Sequence, residues 1–486
     1  MARLTRRKFI QQSAAASTAF GLFTIAGTKA SGRVLGANET IRVGVAGVRG
    51  RGQAHIEAFA KELKDQKTQV TYLIDPDTRV LGPRSSTVTQ YGGNTPKAVK
   101  DIREALDDPN LDVVTVATCN HWHSLITVWA CQAGKDVYVE KPISHNVFEG
   151  RQCVEAAKKY CRVVQHGTQQ RSSLSRAKEI AAVQSGKYGK LLVSKGYCCK
   201  PRWSIGTKPI EAPPAELDFN LWLGPAPEQP YHGNLVPYNW HWFWDTGNGD
   251  IGNQGVHELD VARWAIKDAT LPRSVWSLGG RFGFEDQGQT PNMQMAVFDY
   301  GDALLLFEVR GLVGNKDRGN VPNNVSNEYY TTEGLIREGK FYKYGSDRGE
   351  KLADFDAHVT PGGAFGSFLT AVRSRKPEDN NANAEVAHHS AALCHLANIS
   401  YRLGEKASFD KAAGAIGDNK EVVSSFNALR DNLKAVGVNL EQTEYQVGRK
   451  LAFDAQTEKF TGEGAEQANP LLTRNYRAPF VVPQQV

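Results

Sequence analysis

The sequence predicts an α/β protein that opens with a doubly wound parallel sheet. Three observations predict it. Short β-branched runs alternate with segments of helical period between Ile41 and Gln165. The first run ends in a glycine-rich turn, Gly47-Val48-Arg49-Gly50-Arg51-Gly52, that leads into a helical pattern. The second run ends in a carboxylate, Asp75. Strands separated by helices of about ten residues pair in parallel through crossovers.

The elements follow in order. Residues 41–46 read as a strand, and the helical pattern after the glycine turn continues to Leu63. Residues 70–74 form the second strand. Residues 97–106, just after Pro96, read as a helix, and 112–117 as a buried strand. Asn120-His121-Trp122-His123 opens a loop before a helix over 124–133, closed by Gly134. A strand at 136–139 runs into Glu140-Lys141-Pro142, a helix follows at 148–160, and 163–165 is a further strand. Ligands of such sheets bind outside the carboxyl ends of the strands. Asn120, His121, His123, Glu140, Lys141 and Arg171 all fall at such ends.

The glycine turn has a reason to be there. Glycines let backbone approach a pyrophosphate, and a helix N-terminus offers N–H donors and partial positive charge. Gly47 and Gly52 fit the first and third glycines of G-x-G-x-x-G, whereas Arg49 holds the middle place and Gly50 follows it. Asp75 is placed to bind the ribose hydroxyls of NAD and to repel the 2′-phosphate of NADP. As a strand-end turn former ahead of Pro76 it would serve structure only.

Beyond the first domain, residues 191–198, 274–279, 293–300 and 303–309 read as strands, the last two joined by Asp299-Tyr300-Gly301-Asp302 in antiparallel fashion. Helices are expected over 365–373 and 384–403, the second capped by Asn383. Between the strands at 191–198 and 274–279 lies an aromatic-rich stretch with Trp222, Tyr231, Tyr238, Trp240, Trp242, Phe243 and Trp244. Such residues mostly pack in cores, but sugar C–H faces stack on Trp and Tyr, and Trp244 is taken as the substrate-facing candidate. The expected division is 1–30 as signal, 38–172 as nucleotide domain, 173–404 as substrate domain, and 405–486 as an extension that packs on or links subunits.

The N-terminus reads as an address. Thr5-Arg6-Arg7-Lys8-Phe9-Ile10 precedes a mild apolar stretch and a small-x-small site at Thr28-Lys29-Ala30. That is the layout of a twin-arginine export signal, which implies the twin-arginine machinery as partner and a periplasmic destination. The 486-residue chain has a formal net charge of +6 with dispersed Lys and Arg, so nucleic acid is not an expected partner. Its seven cysteines form no C-x-x-C, and folding before export disfavours disulfides.

The glycine turn, Asp75, Asn120-His121-Trp122-His123, Gly134-Lys135, Val139-Glu140-Lys141-Pro142 and the segment Gly249-Asp250-Ile251-Gly252-Asn253-Gln254-Gly255-Val256-His257-Glu258-Leu259-Asp260 together resemble the Gfo/Idh/MocA oxidoreductases. The resemblance runs from about Ile41 to Tyr401. It implies an N-terminal Rossmann domain and a C-terminal α/β domain with a large, mostly antiparallel sheet. It also implies NAD or NADP as cofactor, with Asp75 favouring NAD, sugars, polyols or sugar derivatives as substrates, and a homo-oligomer, dimer or tetramer. Export of the folded chain adds the expectation of a tightly held cofactor.

Hydride transfer from a carbinol needs a group to take the hydroxyl proton and donors to polarise the oxygen. Asn253, His257 and Asp260 share one helix face at i, i+4 and i+7. Lys141 arrives from the nucleotide domain. Lys141 and His257 are the catalytic candidates; Asn253, Asp260, Arg171 and Trp244 the substrate-binding ones; Gly47, Arg49, Gly50, Gly52, Asp75, Asn120, His123, Glu140 and Lys141 the cofactor-binding ones. His257 as a packing residue is the alternative. The family often has an aspartate where this chain has Asn253, which cannot act as a base. A metal held by His121-x-His123 is the competing chemistry and is not expected. Three functions stay open: an exported oxidoreductase, a glycoside-cleaving enzyme that oxidises its substrate only transiently, and a carbohydrate-binding protein without catalysis.

Overall fold

The computed structural model describes residues 39–314, 316, 320–409 and 416–486. The export segment lies outside the described residues. Six parallel strands form the first sheet: β1 (Ile41–Ala46), β2 (Thr68–Ile74), β3 (Lys97–Val99), β4 (Val113–Val116), β5 (Asp136–Val139) and β6 (Val164–His166), in the order β3-β2-β1-β4-β5-β6. The order reverses between β1 and β4, so a crevice opens at their carboxyl ends. Helices Gly50–Glu57, Asn120–Gln132 and Val147–Lys159 cover the faces, which is why β4 and β5 are buried on both sides.

Two sequence expectations change here. Residues 97–106 are not one helix: 97–99 pair in parallel with β2, and Asp101 caps a short helix, Ile102–Leu106, by accepting the Arg103 N–H at 3.0 Å. The cap fixes the helix start and frees the preceding residues for the sheet edge. The 120–123 stretch is not a loop either. It is the first turn of the helix Asn120–Gln132, and all four side chains are buried.

The second domain is built on β7 (Leu191–Cys199), β8 (Ser274–Gly280), β9 (Met293–Asp299), β10 (Leu304–Arg310), β11 (Asn324–Thr331), β12 (Gly334–Arg337), β13 (Lys340–Lys343), β14 (Glu350–Lys351), β15 (Glu405–Ser408), β16 (Glu444–Val447), β17 (Leu451–Asp454) and β18 (Lys459–Thr461). Ten of them run in the order β14-β13-β12-β11-β7-β10-β9-β8-β16-β15, and β17 joins β8 and β18. Pairing is antiparallel except between β7 and β10. The hairpin β9–β10 turns at Gly301, in the left-handed region at φ 86°. The helices Gly255–Ala265 and Ala384–Arg402 pack on one face around Phe298, Phe307 and Leu396. Asn383 caps the second by accepting the Val386 N–H at 3.0 Å.

Residues 405–486 do more than decorate. They supply β15 to β18 and the helix Lys420–Ala435, whose Phe426 and Leu429 complete a core with Trp276 and Met295 on the other face of the sheet. The chain then returns to the nucleotide domain, where Phe480 and Val482 enter the core beside Trp122. No local period marks such a return, because each residue finds its partner hundreds of positions away.

Candidate functional site

The glycine turn is shaped by contacts that only glycine allows. Gly47 has φ 79°, and its N–H donates to Ile74 O at 2.8 Å. A Cβ on Gly52 would lie 1.8 Å from Gly47 O. The helix beginning at Gly50 has no side-chain cap and no acid in its first turn, leaving its first N–H groups open. A Cβ on Gly50 would meet nothing within 4 Å. These residues fit a pyrophosphate: a close-approach turn, uncapped donors and free space in front of them.

That space is a cavity of about 630 Å³ at the carboxyl ends of the strands. Gly47, Arg49, Gly50, Asp75, Asn120, His123, Glu140 and Lys141 line it from the nucleotide domain, and Asn253 and His257 from the second. Gly52 lies behind the turn and sets its shape. Asp75 is buried and accepts N–H groups from Val48 and Asp77, each at 3.0 Å. Burial raises its pKa against those two bonds. Asn120 donates to Asn248 Oδ1 at 3.1 Å, and the His123 ring lies between the Pro142 and Thr118 carbonyls at 2.7 and 3.0 Å. Glu140 accepts from Arg51 at 2.7 Å and contacts His55 at 3.1 Å. Burial works against that charge, but His55 and Arg51 outweigh it and hold the carboxyl well below its usual range.

Lys141 and the second domain meet at a helix break. Helix Gly249–Asn253 ends and Gly255–Ala265 begins, and the His257 N–H donates to Gln254 O at 3.2 Å. The Asn253 carbonyl therefore accepts instead from Lys141 Nζ at 2.6 Å, with Asn253 Oδ1 at 3.3 Å from the same nitrogen. Burial lowers the Lys141 pKa. His257 is pushed down to about 3 by burial and then by Lys141, so its imidazole is neutral at pH 7.

Three sequence candidates stand apart from the cavity. Arg171 donates twice to Asp260, at 2.8 and 2.9 Å, and Ser390 Oγ donates to Asp260 at 2.6 Å. The Asp260 side chain is fully buried, and Arg171 packs its guanidinium over Trp264 at 4.4 Å. The face shared with His257 thus leads inward at Asp260, to a bidentate ion pair and not to the cavity. Trp244 also lies elsewhere, under Arg402 at 5.2 Å and beside Tyr401.

The aromatic wall comes from other members of the same stretch: Trp222, Tyr238, Trp240 and His241 line the cavity. The stretch is pinned across the mouth. Thr78 N–H donates to Glu216 O at 3.0 Å and Asp218 N–H to Pro76 O at 2.9 Å. Trp222 O accepts from Trp122 Nε1 at 3.0 Å and lies 2.9 Å from His121 Nε2. Arg477, near the chain end, donates to Asn220 O at 2.7 Å. The clustering of Trp, Tyr and His was visible in the sequence, but which rings turn inward depends on these anchors. Among the described residues, no group of three or more His, Cys, Asp or Glu is placed to hold a metal ion.

The buried histidines predict an acid-sensitive fold. Burial pushes His121, His241 and His395 down to about 3 and His166 to about 4. Unfolded, each binds a proton near pH 6.5. Between pH 6.5 and about 4 the unfolded chain therefore holds more protons, and stability falls as pH falls. Glu258, pushed up to about 8 by burial, acts in the opposite sense but is outnumbered. Urea midpoints should drop steadily from pH 7 to pH 5. A flat profile over that range would show that these imidazoles are not buried as neutral groups.

A doubly wound sheet with a glycine turn, facing a second sheet domain across the cavity, defines a two-domain dinucleotide-binding protein. Residues 41–168 match the family model described as oxidoreductase family, NAD-binding Rossmann fold, and residues 181–305 match the family's C-terminal alpha/beta domain. Together they cover just over half of the chain, which belongs to the Gfo/Idh/MocA oxidoreductase family. One relative, glycosyl hydrolase family 109 protein 2 of Shewanella sp. strain ANA-3, is 27% identical over 222 residues, 44% of this chain and 45% of that one. The match therefore spans less than half the relative's length. Levoglucosan dehydrogenase of Pseudarthrobacter phenanthrenivorans is 23% identical over 57% of this chain and 69% of its own. The fold is shared with a WlbA dehydrogenase from Bordetella pertussis, solved with NADH and UDP-GlcNAcA, at TM-score 0.53 and 16% identity over 74% of this chain and 97% of that one.

Proposed function

We propose that this protein is an NAD(P)-dependent oxidoreductase that acts on a CH–OH group of a sugar, polyol or sugar derivative, with its nucleotide held tightly. The observation that carries this reading is the position of Lys141. Its ammonium is partly buried at the cavity wall between the pyrophosphate-shaped turn and the second domain, with Asn253 bonded to it and His257 lining the same space. Gly47, Gly50, Asp75 and Asn120 would hold the dinucleotide, which when bound supplies a hydride acceptor for the carbinol carbon. This chain's own residues supply the rest. Lys141, its hold on its own proton weakened by burial, takes the hydroxyl proton in its unprotonated form as the C–H bond breaks, and the neutral His257 lines the path by which that proton leaves. Asn253 fixes the ammonium through its carbonyl. The aromatic wall excludes water and offers faces for sugar C–H groups.

A second reading is favoured by the family 109 glycosyl hydrolase relatives. Transient oxidation of a ring hydroxyl to the ketone would acidify the neighbouring C–H, loss of that proton would expel the aglycone, water would add across the double bond so formed, and return of the hydride to the ketone would restore the hydroxyl. The same Lys141 and His257 would serve both courses. Export through the twin-arginine route, with action in the periplasm, completes the proposal and rests on the N-terminal motif alone. A carbohydrate-binding protein without catalysis would have no use for Lys141 and His257 in one cavity.

Purified protein is expected to release NAD or NADP on denaturation without any having been added. Accumulation of reduced nucleotide with a sugar alone supports net dehydrogenation, whereas aglycone release without net reduction supports the second course. Protein that neither carries nor takes up nucleotide would end both.

A further inference from the structure

The end of β2 carries two carboxylates, and the second, Asp77, has a use not evident from the motif. Its side chain is only 2% exposed and lines the cavity beside Asp75 and Arg49. Oδ1 accepts the Arg79 N–H at 3.2 Å, capping the helix Thr78–Gly92. The same carboxylate receives the Arg79 guanidinium at 2.6 and 2.7 Å and the Arg49 guanidinium on Oδ2. Arg49 comes from the glycine turn and Arg79 from the helix, so Asp77 draws two cations together from opposite sides. Burial of Asp77 opposes its charge, and the two arginines overcome that and keep it ionised. Asp75, turned to the Val48 and Asp77 N–H groups, is held in place by backbone.

The carboxyl end of β2 is where the adenosine ribose of a dinucleotide lies. A 2′-phosphate there needs unpaired Arg or Lys donors, since guanidinium forks bind phosphate through paired hydrogen bonds. At this spot Arg79 is bonded to Asp77 through two guanidinium nitrogens and Arg49 through one, so the same carboxylate draws on both groups. Lys100 also lines this end, as an exposed cation. The placement leaves ribose hydroxyls a carboxylate to meet and sets Asp77 in competition with a phosphate for both guanidinium groups.

We propose that Asp77 is the residue that sets NAD over NADP in this protein, by sequestering Arg49 and Arg79. The inference rests on the nucleotide reading above. Asp77→Asn is the sharp test, because Asn caps a helix as well as Asp and matches its shape, while losing the charge that gathers the arginines. Parent and variant are held with equimolar NAD and NADP until their content is constant, then denatured, and the released nucleotides are quantified. The parent should release mainly NAD, and the variant's NADP-to-NAD ratio should rise by about tenfold to a hundredfold, the scale of one or two charged hydrogen bonds. Adding Arg49→Ala to Asp77→Asn should reverse most of that rise. An unchanged ratio in a variant that unfolds at the parent's temperature would overturn the assignment, as would a parent that already prefers NADP. If Asp77→Asn does not fold, the pair Arg49→Ala and Arg79→Ala reads the same point: preference for NAD must then hold or grow, and its loss overturns the proposal. A parent that takes up neither nucleotide fails the nucleotide reading first, and the two failures are told apart in the same sample.

Discussion

Lys141→Ala is expected to lower turnover on the true substrate by about 10²–10⁴-fold, the range for losing a positioned proton-transfer group. The nucleotide should remain, because the pyrophosphate turn is built from Gly47, Gly50 and Gly52 and needs nothing from the ammonium. His257→Ala should fall in the same range. The double variant should cost little more than the worse single one, since groups that work as a unit are not additive. Lys141→Arg is a useful companion. Arg keeps the charge but cannot lose a proton, so it should retain the fold and fail to restore activity. Asn253→Asp should be milder, because the main bond to Lys141 comes from the backbone carbonyl. A His257→Ala enzyme with near-normal turnover, measured with saturating substrate and confirmed nucleotide content, would show that this imidazole only lines the cavity.

Gly52→Ala should have an effect of similar size through a different cause. The added methyl would sit 1.8 Å from Gly47 O, and the obstacle is backbone that cannot rotate away. Either the helix Gly50–Glu57 moves off β1 or Gly47 leaves its left-handed conformation. Overpacking of this kind costs about 1–3 kcal/mol of stability. The larger loss should be in nucleotide content, since both escapes open the turn that cradles the pyrophosphate. Gly50→Ala is the control: its Cβ meets nothing within 4 Å, so the fold should be unaffected and only nucleotide affinity should respond. Thermal unfolding and released nucleotide, read on both variants, separate the two effects. A Gly52→Ala protein with full nucleotide content would show that the turn relaxes more freely than its contacts allow.

Much of the first domain could be read before any contact was known. Residues 41–46 form a strand because the β-branched Ile41, Val43 and Val45 alternate there with Arg42, Gly44 and Ala46, and Asp136-Val137-Tyr138-Val139 with its following Glu-Lys-Pro marks a strand end. The glycine turn and Lys141 were legible for the same reason: each is a local pattern with a local cause. Local reading failed at two helix starts. Asp101 splits what looks like one helix at 97–106, and the N-terminal turn at Asn120 is helical although its four polar and aromatic residues suggest a loop.

The site was legible in its chemistry and not in its membership. Asn253, His257 and Asp260 share a helix face by period, yet Asp260 turns to Arg171 and Ser390 and Trp244 lies under Arg402. A period says which residues point the same way, but it cannot say what stands opposite. The paired guanidinium of Arg171, the return of Phe480 to Trp122, and the anchoring of 216–222 over the cavity all join residues distant in the chain. The sequence by itself determined the fold class and the glycine turn, because periodicity and short-range sterics dictate them, and it pointed to Lys141 and His257 through their places at a strand end and on a helix face and through the family resemblance. Only the tertiary structure decided which aromatics face the cavity, that the last eighty residues complete the sheet, and that Asp77 gathers two arginines. Those outcomes depend on contacts between segments whose relative placement no local propensity encodes.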